Sequence, residues 1–572
     1  APGSATYTVT SSANQTVDDI QTWANATLAI GAGTFAATNA SGPGINAGTI
    51  AVADGATFSA GGTLANAGVL ELLGTSKGAD LRIGAAGLVL TGGGEVVLAD
   101  SLAAPFQPCP PKYSIDKVIG PSGATFTNVD NTIVGSGYIG PAANATFGLV
   151  NEAKGVIDAS LDTDLLLISL GTIVNGGLLE ATGAGGLYIV SSTIDNASGG
   201  VIGADGGTVY SSYSSFIGGT FVSSGRGRFY FDHGPSVLDG ATVGVLTNRA
   251  SVFVSDGATL TLEGAIDNLG QIAVAVPTSS RSSTLIVGAA GATLTGGGQI
   301  LLQGTGFDTQ ITAAVAGAML VNVDNTISGQ GRIGAGALKL VNQAGGVIDA
   351  NGVIGVDQFG VLTLDTGVNT IANAGLIEAG PLGFCIIAGA LENTGVLEAA
   401  GGTLIVGGPV IGKGSATIAG GRLDFIAAFS QAVAFTTGTG VLELGRSQDY
   451  AGAISGFSKS GGAALDLRDI GFVNSTEATF SGAASGGTLT VTDGTHTAHI
   501  ALTGDYRGST FVASSDGHGG TNVVDPSEAS SAHRFIAAAA GLGAGVGADV
   551  SVIRDAWRTR PPMLARPEIA AA

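Results

Sequence analysis

One phrase of seven residues recurs along this chain. It stands as Asn-Ala-Gly-Leu-Ile-Glu-Ala from Asn373 and as Asn-Thr-Gly-Val-Leu-Glu-Ala from Asn393, twenty residues later. Its asparagine marks seven positions, of which three pairs are twenty residues apart: Asn46, Asn66, Asn175, Asn248, Asn268, Asn373 and Asn393. A fixed period of this length predicts a solenoid, in which each repeat forms one turn and stacks on the next.

Each position of the phrase has a physical role. Asparagine tolerates a left-handed backbone and bonds to neighbouring backbone groups, so it predicts a turn, and the glycine two positions later is expected to supply a positive φ. Because strand side chains alternate, Ile377 is expected in the core and Glu378 in solvent. Equivalent asparagines at one turn predict a ladder of the kind found in stacked strands. The frequent glycine and the alternation exclude a helical repeat, and the fold class is therefore all-β.

A larger duplication overlies the short repeat, with copies at about 65–200 and 267–406. The segment Gly155–Ala159 (Gly-Val-Ile-Asp-Ala) recurs as Gly346–Ala350, and Asn128–Ile133 recurs as Asn322–Ile327. The offsets differ, so insertions separate the copies. The segment 103–112 contains four prolines, which interrupt strands, and we expect it to form a projecting loop.

The sequence pattern changes near residue 426, and the whole chain is predicted to have four regions. Residues 1–40 are predicted to be an N-terminal cap, 41–426 the β-solenoid, 427–525 a smaller C-terminal β-module, and 526–572 a tail with a short helix at 532–540 or an export signal. Repeats of about twenty residues would give roughly nineteen turns and a rod on the order of 90 Å long. The aromatic segment 207–232 is predicted either to form an adhesive face or to fill a wider part of the core.

Composition limits the partners. Only 11% of residues are charged and the net charge is −21, without a basic cluster, which disfavours nucleic acid. The acidity suits a surface outside a cell and could attract divalent cations. The start of the chain does not resemble a signal peptide, and no apolar run is long enough for a transmembrane helix. Cys109 and Cys385 are expected either to form a disulfide or to be buried as small apolar groups.

Several patterns suggest chemistry and are weighed against structural roles. The segment Gly135–Gly140 matches the dinucleotide-binding pattern G-x-G-x-x-G, but it recurs at Gly329–Gly334 with no helix in reach, so we predict no nucleotide site. Four aspartates occupy matched places in the two copies and are predicted to cap turns rather than to form a catalytic carboxylate cluster: Asp130, Asp158, Asp324 and Asp349.

The C-terminal module offers the candidate metal ligands. Asp466, Asp469 and Asp516 lie in glycine-flanked turns, and calcium prefers oxygen-rich loops, so these three are the predicted calcium ligands. No tandem calcium-binding nonapeptide accompanies them. His496, His499 and His518 are close in sequence, but two strand histidines three apart face opposite sides, so no zinc site is predicted. No other cofactor is expected.

The phrase Asn-x-Gly-x-Ile/Leu-x-Ala, over about 40–425, resembles the β-strand-repeat and haemagglutinin-like surface proteins of Gram-negative bacteria. This resemblance implies a right-handed parallel β-helix. The segments Ile454–Phe457, Leu465–Leu467 and Asp516–Thr521 are similar to the C-terminal module of large secreted repeat proteins of alphaproteobacteria, which implies one-step export with an uncleaved C-terminal signal. The end of the chain, Glu568–Ala572, departs from autotransporters, which end in a membrane-inserted domain.

These observations favour an exported, non-enzymatic structural or adhesive protein at the cell surface. Self-association, end to end or side by side into a fibre or layer, is one version of the hypothesis, and a monomeric adhesin for a glycan or a cell surface is another. The alternative is a carbohydrate-active β-helix enzyme, a polysaccharide lyase or hydrolase, with its carboxylates on one face.

Overall fold

The computed structural model describes residues 5–99, 115–142, 146–255, 257–275, 282–304, 309–351 and 360–527. Strands make up 58% of the chain and stack in parallel as a β-solenoid of about 18 turns, which confirms the predicted fold class. In the described part of the chain, the one helix is a single 3-10 turn at Ser447–Asp449. The proline-rich segment 103–112, Cys109 and nearly all of the tail lie outside the described residues.

The strands are numbered in chain order. The first 27 are β1 Tyr7–Ser11, β2 Gln15–Val17, β3 Gln21–Thr22, β4 Ala26–Ile30, β5 Thr34–Ala37, β6 Gly44–Asn46, β7 Thr49–Ala53, β8 Thr57–Asn66, β9 Val69–Leu73, β10 Asp80–Thr91, β11 Glu95–Ala99, β12 Lys117–Gly120, β13 Thr125–Asn128, β14 Thr132–Pro141, β15 Gly148–Asn151, β16 Val156–Ala159, β17 Leu166–Ile168, β18 Thr172–Asn175, β19 Leu178–Ala181, β20 Leu187–Val190, β21 Thr193–Asp195, β22 Val201–Asp205, β23 Thr208–Ser212, β24 Ser215–Ile217, β25 Thr220–Ser224, β26 Arg228–Phe231 and β27 Pro235–Gly240.

The remaining strands are β28 Leu246–Arg249, β29 Ser251–Val254, β30 Thr259–Asn268, β31 Gln271–Ala275, β32 Ser283–Thr295, β33 Gln299–Gln303, β34 Thr309–Ala313, β35 Met319–Asn322, β36 Thr326–Ile333, β37 Lys339–Asn342, β38 Val347–Ala350, β39 Gly360–Leu364, β40 Ile371–Asn373, β41 Leu376–Ala379, β42 Gly383–Ile387, β43 Leu391–Asn393, β44 Val396–Ala399, β45 Thr403–Val406, β46 Val410–Ile411, β47 Ser415–Ile418, β48 Arg422–Phe425, β49 Ala432–Phe435, β50 Gly440–Leu444, β51 Ala453–Ser455, β52 Ala463–Leu467, β53 Ala478–Ala483, β54 Gly486–Thr492, β55 Thr497–Thr503, β56 Val512–Ser515 and β57 Thr521–Val524.

Each turn contributes one strand, or half of a long strand, to each of three faces. Face A starts with β1, β4 and β7, face B with β2, β5 and the first half of β8, and face C with β3, β6 and the second half of β8. Strands β10, β14, β30, β32 and β36 also cross a corner and serve two faces. Successive turns are in register, so equivalent side chains form rows along the axis.

Alternation along each strand builds the core. In β41, Ile377 and Ala379 are fully buried, whereas Leu376 and Glu378 lie on the outer side, and the next turn repeats this with Leu397 and Glu398. Each buried aliphatic side chain contributes about 1.5–3 kcal/mol through loss of contact with water. Rows of such side chains form one core that continues from the first turns into the C-terminal strands.

The predicted asparagines form hydrogen-bonded ladders inside the solenoid. The Nδ2 of one asparagine donates to the side-chain oxygen of the next asparagine in the ladder at 2.6–3.0 Å. For Asn66 and Asn268 that acceptor lies two turns further along, because the intervening turn has glycine at this corner. The first ladder comprises Asn46, Asn66, Asn131 with Asn128, Asn151, Asn175 and Asn196; the second comprises Asn248, Asn268, Asn325 with Asn322, Asn342, Asn373 and Asn393. Gln431 ends the second ladder, accepting from Asn393 at 2.7 Å.

The glycine of the phrase has a different purpose from the expected one. None of Gly48, Gly68, Gly375 and Gly395 has a positive φ, and none of the ladder asparagines does. A Cβ on Gly395 would instead lie 2.1 Å from the carbonyl oxygen of Gly375, its equivalent one turn earlier. The expectation of a left-handed turn is therefore wrong. The glycine is required because the backbones of successive corners touch.

The phrase lies on different faces of the solenoid in the two copies of the duplication. In the first copy the asparagines end strands of face C, such as β18; in the second they end strands of face A, such as β40. Asn196 directly follows β21 and Asn248 lies in β28, seven strands later, which is two turns and one additional face. Asn196 ends the first ladder because Gly219 follows it in the stack and offers no side-chain acceptor.

Both ends of the predicted solenoid are extended. The segment expected as a cap contributes β1 to β5, which stack in parallel on the later turns. Parallel stacking also continues past residue 426 through β52, so the boundary predicted there is not where the architecture changes. The asparagine phrase is absent from the sequence beyond about residue 425, so the repeat pattern did not reveal that the stack continues. Antiparallel pairing begins with β57 on β52 and with the hairpin strands β53, β54 and β55.

The aromatic segment fills the core, as one of its two predicted roles required, and it also contributes rings to the outer side. Phe216, Phe221, Phe229 and Phe231 fill the core within the turns that join the two copies. On the outer side of face B, Tyr210, Tyr230 and Phe253 stack on one another in successive turns, with centroid distances of 5.9 and 5.2 Å. Their faces are thus used in packing within the molecule.

Candidate functional site

Carboxylates form two outer rows, one in each copy. Asp158 and Glu180 are neighbours in register on face A, whereas Asp349, Glu378 and Glu398 are neighbours on face B. Partial burial raises the pKa of Asp158, Glu180, Asp349 and Glu378, and for Glu180 and Glu378 the neighbouring carboxylates add to this. Because the copies are turned by one face, the rows do not join into one acidic strip.

The four matched aspartates accept hydrogen bonds from corner residues, most of them in a neighbouring turn of the solenoid. Asp130 accepts a hydrogen bond from the backbone N–H of Gly93 at 3.0 Å, and Asp324 accepts one from Gly297 at 3.1 Å. Asp158 accepts from the N–H of Thr182 at 3.1 Å and from its hydroxyl. Asp349 accepts from the side chain of Asn351 at 2.9 Å. These contacts agree with the turn-capping role expected for the four residues.

A denser group of charges lies on face C near the C-terminal end, and we call it the C-terminal ion-pair cluster. It consists of Arg422, Asp424, Glu443, Asp466 and Arg468. The three acids are aligned in register on β48, β50 and β52, on the side opposite the core leucines. Glu443 is fully buried, and both arginines bind it.

The arginines hold the remaining acids of the cluster as well. The guanidinium of Arg468 is 3.0 Å from Asp424, and that of Arg422 is 3.4 Å from Asp466. Burial raises the pKa of Asp466 to about 6, against the opposing effect of Arg422, and the charges of Asp516 and Asp424 contribute. A carboxyl group that titrates near neutrality can exchange a proton, which is the property needed in a general acid or base.

The three predicted calcium ligands have separate partners. Asp469 accepts hydrogen bonds from Ser447 and Gln448, which bound the 3-10 turn, and Asp516 accepts from the N–H groups of His518 and Gly520 within its own loop. Asp466 belongs to the ion-pair cluster. In the described ranges no three His, Cys, Asp or Glu side chains gather in a way that could hold a metal ion. Calcium binding at these residues stays a prediction without a ligand cluster to support it.

The histidines of the C-terminal strands also act locally. His496 Nδ1 lies 2.9 Å from Asp493, and His499 Nδ1 lies 3.3 Å from the hydroxyl of Thr490. The two G-x-G-x-x-G segments fall within β14 and at the end of β36, which are strands crossing a corner, so no helix follows them. Cys385 is buried in the core as a free thiol, and burial raises its pKa.

Sequence reasoning missed the ion-pair cluster and a ladder of serine side chains. The hydroxyls of Ser192, Ser214 and Ser236 accept hydrogen bonds from the backbone of the preceding turn at 3.0–3.3 Å, along the corner between faces B and C. Serine spaced by 22 residues was the available signal. The charged residues of the cluster had no such signal, because Arg422 and Asp466 are 44 residues apart.

No protein-family model matches the chain, and no curated protein sequence matches it. Within the parts of the chain that the structure covers, there is no helix long and apolar enough to cross a membrane.

Proposed function

We propose that this chain is an exported, non-enzymatic structural and adhesive protein of the bacterial cell surface, similar to the β-strand-repeat proteins of Gram-negative bacteria. The observation that carries the proposal is the pair of asparagine ladders. The repeated asparagines of the phrase are buried and bound to one another, so they serve the stacking of the rod. The location is tested by adding a protease to intact cells and measuring whether the protein is digested. A variant of the protein that is retained inside the cell is the control and should stay intact.

Self-association at the N-terminal end is the sharper form of this proposal. Among the described residues, β1, β2 and β3 pair only with the turn that follows, and Val9 is 56% exposed. At the opposite end, β55 stacks in parallel on β51 of face B, and β57 pairs antiparallel with β52 of face C. An open strand edge can pair with another chain, and the edge formed by β1 to β3 is the surface at which we expect two copies to meet.

Electron microscopy and light scattering of the purified chain test this association. We expect pairs of rods joined end to end, and we expect Val9→Lys to separate them because it places a charge at the joint. Val174→Lys is the matched control, since Val174 is exposed on the side of the rod. Rods that stay single at all concentrations would leave only the monomeric adhesin, and association that persists in Val9→Lys would point to another surface.

A polysaccharide lyase or hydrolase is the second candidate, and Asp466 is the observation that favours it. Its pKa near 6 and its place beside Asp424 and Glu443 provide a proton donor among carboxylates. The test is turnover of a panel of polysaccharides by the purified protein. Turnover that is abolished in Asp466→Asn, or in a variant of Asp130, Asp158, Asp324 or Asp349, would refute the non-enzymatic proposal.

A further inference from the structure

One corner of the solenoid concentrates unusual backbone conformations. In the described chain six residues other than glycine have a positive φ, and three of them form one column: Ser191 at 51°, Tyr213 at 55° and His233 at 52°. They are equivalent in successive turns, because Val190 pairs with Ser212 and Ser211 pairs with Phe231. A left-handed backbone is unfavourable for a bulky side chain such as Tyr213, and such strain often accompanies functional sites.

Tyr213 is held as a platform. Its side chain is 57% exposed. A Cβ placed on Gly234, in the next turn, would lie 2.4 Å from its Cζ and 2.6 and 2.7 Å from its two Cε atoms. These nearly equal distances show that the ring lies with one face over the glycine backbone. A side chain at residue 234 would displace the ring, and the opposite face of the ring is open to solvent.

The neighbours of this ring are polar and exposed. Ser191 and His233 flank Tyr213 in the preceding and following turns, each at about the 4.8 Å spacing of stacked strands. His233 Nδ1 is 3.3 Å from the carboxylate of Asp232. The stack of Tyr210, Tyr230 and Phe253 differs, because those rings cover one another in successive turns.

We propose that the column Ser191–Tyr213–His233 binds a sugar ring of a neutral glycan, with Tyr213 as the stacking surface. The C–H face of a pyranose is apolar, and its hydrogens are attracted to the negative face of an aromatic ring. The hydroxyls at the rim of the sugar can bond to Ser191 and His233. The net charge of −21 and the adjacent Asp232 disfavour an anionic glycan. This inference rests on the proposed adhesive function and specifies its binding site.

Affinity electrophoresis of the full chain through gels containing dextran, hydroxyethylcellulose, xylan or galactomannan tests the site. We expect the wild type and Tyr213→Phe to be retarded by at least one of these. Tyr213→Asn should bind about tenfold more weakly, since stacking on one aromatic ring contributes that order of affinity. Asparagine tolerates the left-handed backbone, so this variant should keep the fold. Trp23→Ala removes another exposed aromatic side chain and should bind as the wild type does.

Two results would overturn the inference: no retardation of the wild type by any of the four glycans, or equal retardation of the wild type and Tyr213→Asn. Equal retardation of Tyr213→Asn would leave the adhesive function intact with a different site. Cleavage of the bound glycan would refute the non-enzymatic proposal while leaving the Tyr213 site in place, so the two failures can be told apart.

Discussion

At the scale of single residues, the asparagine and glycine of the repeated phrase pack successive turns of the solenoid against one another. Inside the stack the asparagine amide bonds to its neighbours in the ladder, and several of these Nδ2 atoms also donate to backbone carbonyls, as Asn342 does to Gly346 and Leu376 at 3.1 Å. The glycine allows successive corners to touch. Neither residue is free to bind a ligand, and the phrase therefore encodes stability rather than chemistry.

Replacing a ladder asparagine should destabilise the fold. Asn342→Ala removes the acceptor of Asn322 and the donor to Asn373, which leaves buried polar groups without partners. We expect a loss of about 2–3 kcal/mol in the free energy of unfolding, measured by denaturant titration. Asn14→Ala, at an exposed position in the first turn, should lose less than about 1 kcal/mol. Equal losses would show that the ladder is not a special source of stability.

Glycine substitutions can show whether a glycine is required because another backbone lies close to it or because its own backbone has a positive φ. Gly395→Ala would place its Cβ 2.1 Å from the Gly375 oxygen, and should cost about 1–3 kcal/mol or more by forcing the turns apart. Gly171→Ala meets no atom within 4 Å and has no positive φ, so it should be neutral or stabilising by up to about 1 kcal/mol. The midpoints of thermal unfolding distinguish the two, and a neutral Gly395→Ala would contradict the explanation given for the phrase.

At the scale of elements, the C-terminal ion-pair cluster joins the last turns on face C. Strands β48, β50 and β52 each contribute an acid to it, and Arg422 and Arg468 connect the strands. A buried pair is a weak source of net stability, but removal of one partner leaves a charge without compensation. The cluster thus makes these turns dependent on one another.

Loss of Arg468 should open the C-terminal turns. Arg468→Met leaves Glu443 and Asp424 with one less counter-charge, and we expect a cost of about 3–5 kcal/mol. Because each turn of a solenoid contacts only its neighbours, hydrogen exchange should rise in β48 to β57 and stay unchanged in β4 to β19. Arg507→Met breaks an exposed pair with Asp505, which water and salt screen, and it should leave the free energy of unfolding nearly unchanged. Uniform loss of protection along the rod would contradict this.

Asp466 predicts a pH dependence with a defined sign. Its folded-state pKa of about 6 is above the ordinary value of 3.8, so the folded state binds the proton more tightly than the unfolded state does. Stability from this group is therefore greatest at low pH and falls as pH rises from about 4 to 6, by on the order of 2 kcal/mol. Unfolding of the wild type between pH 4 and 7 measures the slope.

Asp466→Asn should make that slope shallower, and the half-buried acids of the two outer rows account for the remainder because their pKa values are raised too. Asp505→Asn is the control: hydrogen bonds from Arg507 lower the pKa of this exposed carboxyl, so it should leave the slope unchanged over this range. If the stability of the wild type increases from pH 4 to 7, the carboxyl groups with a raised pKa do not determine its pH dependence.

At the scale of the whole molecule, about 18 stacked turns form a rod with a turned midpoint. At about 4.8 Å per turn the stacked region is on the order of 85 Å long, close to the length expected from the repeat count. The aromatic turns between the copies move the phrase by one face, so the outward residues of the copies face different directions.

Small-angle scattering tests this shape. The pair-distance distribution should be that of a rod, with a skewed tail reaching at least about 85 Å, rather than that of a sphere of equal mass. Concentration series separate the length of one rod from that of end-to-end pairs, and Val9→Lys provides a sample in which only the single rod is expected. A compact symmetric distribution for this variant would contradict the extended stack.

The sequence by itself determined the parts of this protein that are encoded locally. A period of twenty and alternation within each strand predicted the solenoid, the core position of Ile377 and the outward position of Glu378, because both patterns act within one turn and its neighbour. Only the tertiary structure decided which face each phrase occupies, because that depends on how many strands the turns from β22 to β28 contain. It also decided the contacts of Gly395, the ion pairs of Arg422 and Asp466, and the column around Tyr213, since each joins groups a full turn or more apart.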